Sequence, residues 1–103
     1  MTSQFLYTIR PTREGFLIES TPEENRIVDE HFAYLKALIE GGVVLLAGRT
    51  LNTDSSSLGI VIFEAEAAAN EIMRSDPAVR ASVLQATLFP HRVALASPGV
   101  LPM

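Results

Sequence analysis

One segment of the sequence is delimited at both ends, and the rest of the chain has to be arranged around it. Thr21-Pro22-Glu23-Glu24 carries the signature of a helix start. Thr21 serves as N-cap, Pro22 takes the first helical position, and Glu24 reaches back towards the Thr21 amide. The acidic pair also suits the positive end of the helix dipole. Gly41-Gly42 supplies the stop, where a left-handed residue costs glycine little. Between these signals Ile27, Tyr34, Leu35 and Leu38 recur at helical spacing, which predicts a helix over residues 22–40 with one face on a core. One letter in that apolar row is discordant: His31, four residues from both Ile27 and Leu35.

The flanking segments read as strands. Residues 4–11 alternate Phe5, Tyr7 and Ile9 against Leu6, Thr8 and Arg10, and Pro11 closes the run. Residues 12–20 form a loop with Gly15 as its flexible point. Residues 43–48, VVLLAG, are an unbroken apolar run that suits a strand covered on both faces. Residues 58–65 set Leu58, Ile60 and Ile62 against Gly59, Val61 and Phe63. Residues 66–75 are strong helix formers, with Ala67, Ala68, Ile72 and Met73 on or near the packing side. A short helical turn follows Asp76-Pro77, and residues 83–96 form a last strand, bent or interrupted near Pro90.

The order is β-α-β-β-α-β, which predicts an α+β, ferredoxin-like domain: a four-stranded antiparallel sheet with its helices on one face. It occupies residues 1–97, with a tail at 98–103. Both alternating sets of the first and third strands are largely apolar, yet helices cover only one sheet face. The second face therefore calls for a cover, and the simplest is another copy of the chain, giving a homodimer joined sheet to sheet.

Composition narrows the function. With 103 residues, 48% of them hydrophobic, the chain builds one core and is not disordered. A net charge of −4, with eight scattered basic residues, argues against nucleic acid as a partner. There are no cysteines, so disulfides, thiolate catalysis and cysteine-based zinc sites are excluded. No apolar run reaches the roughly 18–20 residues that cross a bilayer, and the N-terminal stretch MTSQFLYTIRP lacks the layout of a signal peptide. The expectation is a cytoplasmic protein without a membrane partner. No glycine-rich phosphate loop and no HExxH-type motif occurs, so neither a nucleotide cofactor nor a metal is expected.

A buried imidazole needs a hydrogen-bond partner. Asp29 and Glu30 lie on other faces of the helix. Asp76 is the best candidate, because the two helices of such a fold pack side by side. It also has a structural duty open to it, as N-cap of the turn that begins at Pro77. The two duties are compatible, since a carboxylate has two oxygens. A carboxylate on one ring nitrogen fixes the tautomer and leaves the other nitrogen to accept or deliver a proton.

Several pieces in this order resemble a known family. They are H-x-x-Y-L-x-x-L-x-x-x-G from His31 to Gly42, LLAG at 45–48, the glycine-containing strand LGIVIF, and A-x-E-I-M-R-S-D-P leading into Asp76-Pro77. Together they resemble the YciI-like (YCII-related) family of small dimeric α/β-barrel proteins, over nearly the whole chain apart from the tail. The resemblance implies an enzyme with a His/Asp pair, which maps onto His31 and Asp76. Relatives include a dehydrochlorinase acting on a chlorinated hydroxyhydroquinone, and the fold is similar to that of muconolactone isomerase. Many members carry proline where this chain has Arg49, and Arg26 lies in the region where relatives place an arginine before the histidine.

Other residues have two readings each. Arg49 either points into the pocket, where it would hold an anionic substrate group in bidentate fashion, or is a loop residue in water. Tyr7 either sets its hydroxyl at the pocket edge or is a core or interface residue. Ser55, Ser56 and Ser57 are loop polarity, or line the site through Ser57. His91, after Pro90, is expected at the surface. The favoured reading is a cofactor-independent isomerase or lyase on a small cyclic, phenolic or carbonyl compound, with His31 moving the proton and Asp76 orienting it. The alternatives are a non-catalytic small-ligand-binding module and a cofactor-free monooxygenase acting on a quinol-type substrate.

Overall fold

Both ends of the long helix close by the means its sequence announces. Thr21 Oγ1 accepts from the Glu24 amide at 3.1 Å, and Glu24 Oε1 accepts from the Thr21 amide at 2.8 Å. Helix α1 then runs over Pro22–Glu40. At its far end the Val43 amide donates to the Leu38 carbonyl at 2.9 Å and the Gly42 amide to that of Ile39 at 3.0 Å. This is the Schellman arrangement, with Gly42 as the left-handed residue at φ +78°.

The computed structural model describes residues 3–100. Around α1 stand strand β1 (Ser3–Pro11), β2 (Val44–Arg49), β3 (Gly59–Ala65), helices α2 (Ala69–Arg74) and α3 (Pro77–Arg80), and β4 (Leu84–Pro90). The four strands form one antiparallel sheet in the order β2-β3-β1-β4. Central β1 and β3 are not consecutive in sequence, and α1 with β2 forms the excursion between them. The fold is the ferredoxin-like one that the element order predicts.

Register decides which residues face the helices. Tyr7 pairs with Val61 and Leu88, Ile9 with Gly59 and Ala86, and Phe5 with Phe63. Directly paired residues share a face, so these positions form the helix-side surface. There Tyr7, Val61 and Phe63 join Ile27 and Leu35 of α1, Met73 of α2 and Ala78 of α3 in one buried core. The Phe63 ring stands edge-on to Tyr7 and stacks with Phe5, both at 5.8 Å between centroids.

The opposite face carries a cross-strand row of four apolar residues. Leu46 pairs with Ile62, Ile62 with Leu6, and Leu6 with Phe89, so the row spans every strand of the sheet. Leu46 and Phe89 remain 40% and 46% exposed.

Two expectations of extent are corrected. The second helix begins at Ala69 rather than near residue 66, because Ala68 adopts a left-handed conformation at φ +63°. Ala67 and Ala68 consequently stay exposed, while Ile72 and Met73 do pack. The last strand ends at Pro90 rather than at residue 96. Proline has no amide to extend the ladder, and the last bond to β1 runs from the His91 amide to the Gln4 carbonyl at 3.0 Å. Of the tail at 98–103, residues 98–100 form a turn and the remainder lies outside the described residues.

Candidate active site

His31 sits on the core stripe of α1 and is 5% exposed, whereas Asp76 is fully buried. The chain reaches Asp76 at the break between α2 and α3, where its carboxylate caps α3 by accepting from the Ala78 amide at 3.0 Å. The same carboxylate faces α1, and both its oxygens lie 2.7 Å from His31 Nδ1. Tyr7 adds a third donor from the sheet below, its hydroxyl 2.8 Å from Asp76 Oδ2. One carboxylate thus gathers donors from α1, β1 and α3 on its two oxygens. Burial, then the charge and hydrogen bond of Asp76, push the Tyr7 phenol far above its ordinary range, so Tyr7 stays protonated and donates. Burial and the same carboxylate also raise Tyr34, whose hydroxyl donates to the Ile72 carbonyl at 2.6 Å and ties α1 to α2.

With Nδ1 facing a carboxylate, the neutral ring carries its proton there and presents Nε2 as a lone pair. Among the described residues Nε2 has no hydrogen-bond partner, and no buried side-chain nitrogen or oxygen is left unpartnered. Nε2 therefore opens on the cavity that His31 lines, a space of about 700 Å³. Its walls are mostly apolar, drawn from α1, the helix-side ends of β2 and β3, and the loop over residues 12–20. Phe32 lies beside the imidazole, with ring centroids 5.4 Å apart.

The loop that supplies Phe16 and Leu17 to this cavity is pinned rather than loose. Arg13 Nε and Nη2 grip the two oxygens of Glu24 at 2.8 and 2.7 Å, and Nη2 also donates to the Glu19 carbonyl. The hydrogen bonds from the Arg13 guanidinium and then from the Thr21 amide, with the Arg13 charge, hold the Glu24 carboxyl down at about 2.

The structure brings together His31, Asp76, Arg49 and Ser57 around or directly behind this space. Arg49 pairs with Gly59 on the helix-side face and lines the cavity at the end of β2. Ser57 is 6% exposed and lines the cavity next to Thr50, whose hydroxyl is 3.5 Å from its own. Tyr7 is not at the pocket edge. It is sealed in the core with its hydroxyl committed to Asp76, so it orients the pair from behind. Ser55 and Ser56 are exposed in the loop. His91 is half-buried rather than at the open surface, its Nδ1 2.6 Å from Gln4 Oε1. Arg26 is held on the outside of α1 by Glu23 and Glu30. Among the described residues no three His, Asp or Glu side chains converge in a way that would hold a metal ion, and no helix is long and apolar enough to span a membrane.

Sequence reasoning passed over Phe32 and Lys36, which also line the cavity. Their signal was present. Val28, Phe32, Lys36 and Ile39 form a second helical stripe one residue ahead of the core stripe, broadening the apolar face of α1 beyond what the core uses.

Comparison with known proteins agrees with this fold. The family model of the YCII-related domain matches residues 4–89. Among solved structures the chain is similar to 5-chloro-2-hydroxyhydroquinone dehydrochlorinase from Burkholderia phenoliruptrix AC1100, in complex with 2,5-dihydroxybenzoquinone. The two share 22% identity at a TM-score of 0.61, over 85% of this chain and 93% of that one. No curated protein sequence matches the chain.

Proposed function

The chain belongs to the YCII-related domain family, and from that premise we propose that it is a cofactor-independent enzyme in which His31 transfers a proton on a small cyclic, phenolic or carbonyl compound. The observation that carries this reading is the orientation of the imidazole. Nδ1 is fixed by a buried carboxylate, and Nε2 faces a ligand-sized, mostly apolar cavity. Asp76 holds the ring and stabilises its cationic form after proton uptake, while Tyr7 and the Ala78 amide hold Asp76. Isomerisation and elimination, including loss of a halide after proton abstraction, are the reactions such a pair supports. The likeness in fold to a dehydrochlorinase solved with a dihydroxybenzoquinone supports this reading.

A second copy of the chain is proposed as the cover of the open sheet face. The Leu46-Ile62-Leu6-Phe89 row supports it: an apolar band across all four strands, half-exposed at both ends.

The test is a screen of halogenated hydroxyquinols, lactones and enol acids for turnover, or for ligand C–H exchange in deuterated water. His31→Gln is expected to lower the rate by at least about a hundredfold while ligand affinity stays within about threefold. A variant that keeps the rate removes the acid/base role and leaves a cavity that only binds.

A further inference from the structure

The cavity facing His31 Nε2 is lined by two cations and no anion. Lys36 reaches it from α1 and Arg49 from the end of β2, and among the described residues no Asp or Glu contributes to its wall. Neither cation has an ion-pair or hydrogen-bond partner among the described residues. Glu40, one helical turn beyond Lys36, makes no ion pair with it. Arg13 and Arg26, by contrast, are spent on carboxylates, Arg13 on Glu24 and Arg26 on Glu23 and Glu30. In a protein of net charge −4, the charged side chains on the wall of this apolar space are of a single, positive sign.

Resting on the reading of this cavity as the substrate site, we propose that Lys36 and Arg49 form its anion-recognition pair, and that the ligand class is a small cyclic carboxylate. The apolar wall, with Phe32 beside the imidazole, suits a ring. The guanidinium fork matches a carboxylate in bidentate geometry, and the lysine adds a point charge from a second element. A phosphate dianion fits less well. Such groups are held by convergent backbone amides or helix N-termini, and this wall is mostly side-chain hydrocarbon. The pair also serves the chemistry: when His31 withdraws a proton, the negative charge left on the ligand develops beside two cations.

The probes are benzoate and benzamide, equal in size and shape and different in charge, titrated by calorimetry into the full chain and its variants. Wild type is expected to bind benzoate at least about tenfold more tightly than benzamide, with added salt weakening benzoate alone. Lys36→Gln and Arg49→Gln each narrow the gap, and the double variant closes it while benzamide affinity stays within about twofold. Both side chains are exposed, so the fold tolerates these changes. Equal affinities in wild type, binding of neither probe at millimolar concentration, or a double variant that keeps the preference overturns the proposal. His31→Gln separates this claim from the proton-transfer reading. It is expected to keep the benzoate preference whatever it does to turnover, and a preference that vanishes there but survives in the double variant assigns the anion to His31 instead.

Discussion

At the scale of single residues, Asp76 is the point on which the site depends. Its carboxylate satisfies the His31 ring, the Tyr7 hydroxyl and the Ala78 amide, all of them buried. Replacement by alanine leaves three buried donors without acceptors, and Asp76→Ala is expected to cost roughly 3 kcal/mol or more of folding stability. Tyr7→Phe removes one of the three donors and strands nothing, so about 1 kcal/mol is expected. Urea denaturation of both variants measures the contrast, and equal losses would contradict this account of the cluster. His31 and Asp76 were legible in sequence because each breaks a local pattern: an imidazole in an apolar stripe, and a carboxylate before proline. Tyr7 breaks none. It fits the alternation of its strand, and its partner lies 69 positions away, brought close only by the tertiary fold. Lys36 was hidden for a related reason, since a lysine on a helix reads as a solvated residue until the second apolar stripe is given a cavity to face.

At the scale of elements, the start of α1 and the loop before it are one electrostatic unit. The folded-state pKa of Glu24 is held at about 2, below the ordinary 4.5, by Arg13 first and the Thr21 amide next. A depressed carboxyl stabilises the fold above its unfolded pKa and loses that contribution as pH falls through the folded value. Wild type is therefore expected to exceed Glu24→Gln in stability at neutral pH, with the difference shrinking between about pH 4.5 and about pH 2. Denaturation midpoints across that range test it, and a pH-independent difference would contradict it. Close approach matters at β3. A Cβ on Gly59 would stand 2.8 Å from Ile9 Cγ1 and 3.0 Å from its Cδ1, so Gly59→Ala is expected to cost about 1–3 kcal/mol and to displace a cavity-lining side chain. Elements with chemical punctuation at both ends, such as α1, were readable to the residue. The second helix was misjudged at its start, because helix propensity in Glu66-Ala67-Ala68 yields to the turn the chain makes on leaving the sheet. The last strand was overextended, because Pro90 donates no amide to a longer ladder.

At the scale of the whole molecule, the two faces of the sheet have different fates. The helix side closes over the core and the His31 cavity, and the other side carries the apolar row from Leu46 to Phe89. Sequence alternation disclosed that both faces are apolar. Only the register disclosed that four of those residues align in one row. Light scattering on the purified chain is expected to give twice the chain mass, and the double variant Leu46→Glu, Phe89→Glu a single chain mass with its core intact. A monomeric wild type would leave the row without the cover proposed for it.

The central claim is that a buried carboxylate presets His31 to work through Nε2. Two-bond nitrogen–proton correlation spectra of the neutral imidazole read the tautomer directly. The account predicts a protonated Nδ1 and an unprotonated Nε2, with the Nε2 resonance moving when a ligand enters the cavity. A proton resident on Nε2 in the neutral ring, or an Nε2 that no cavity ligand perturbs, would contradict it.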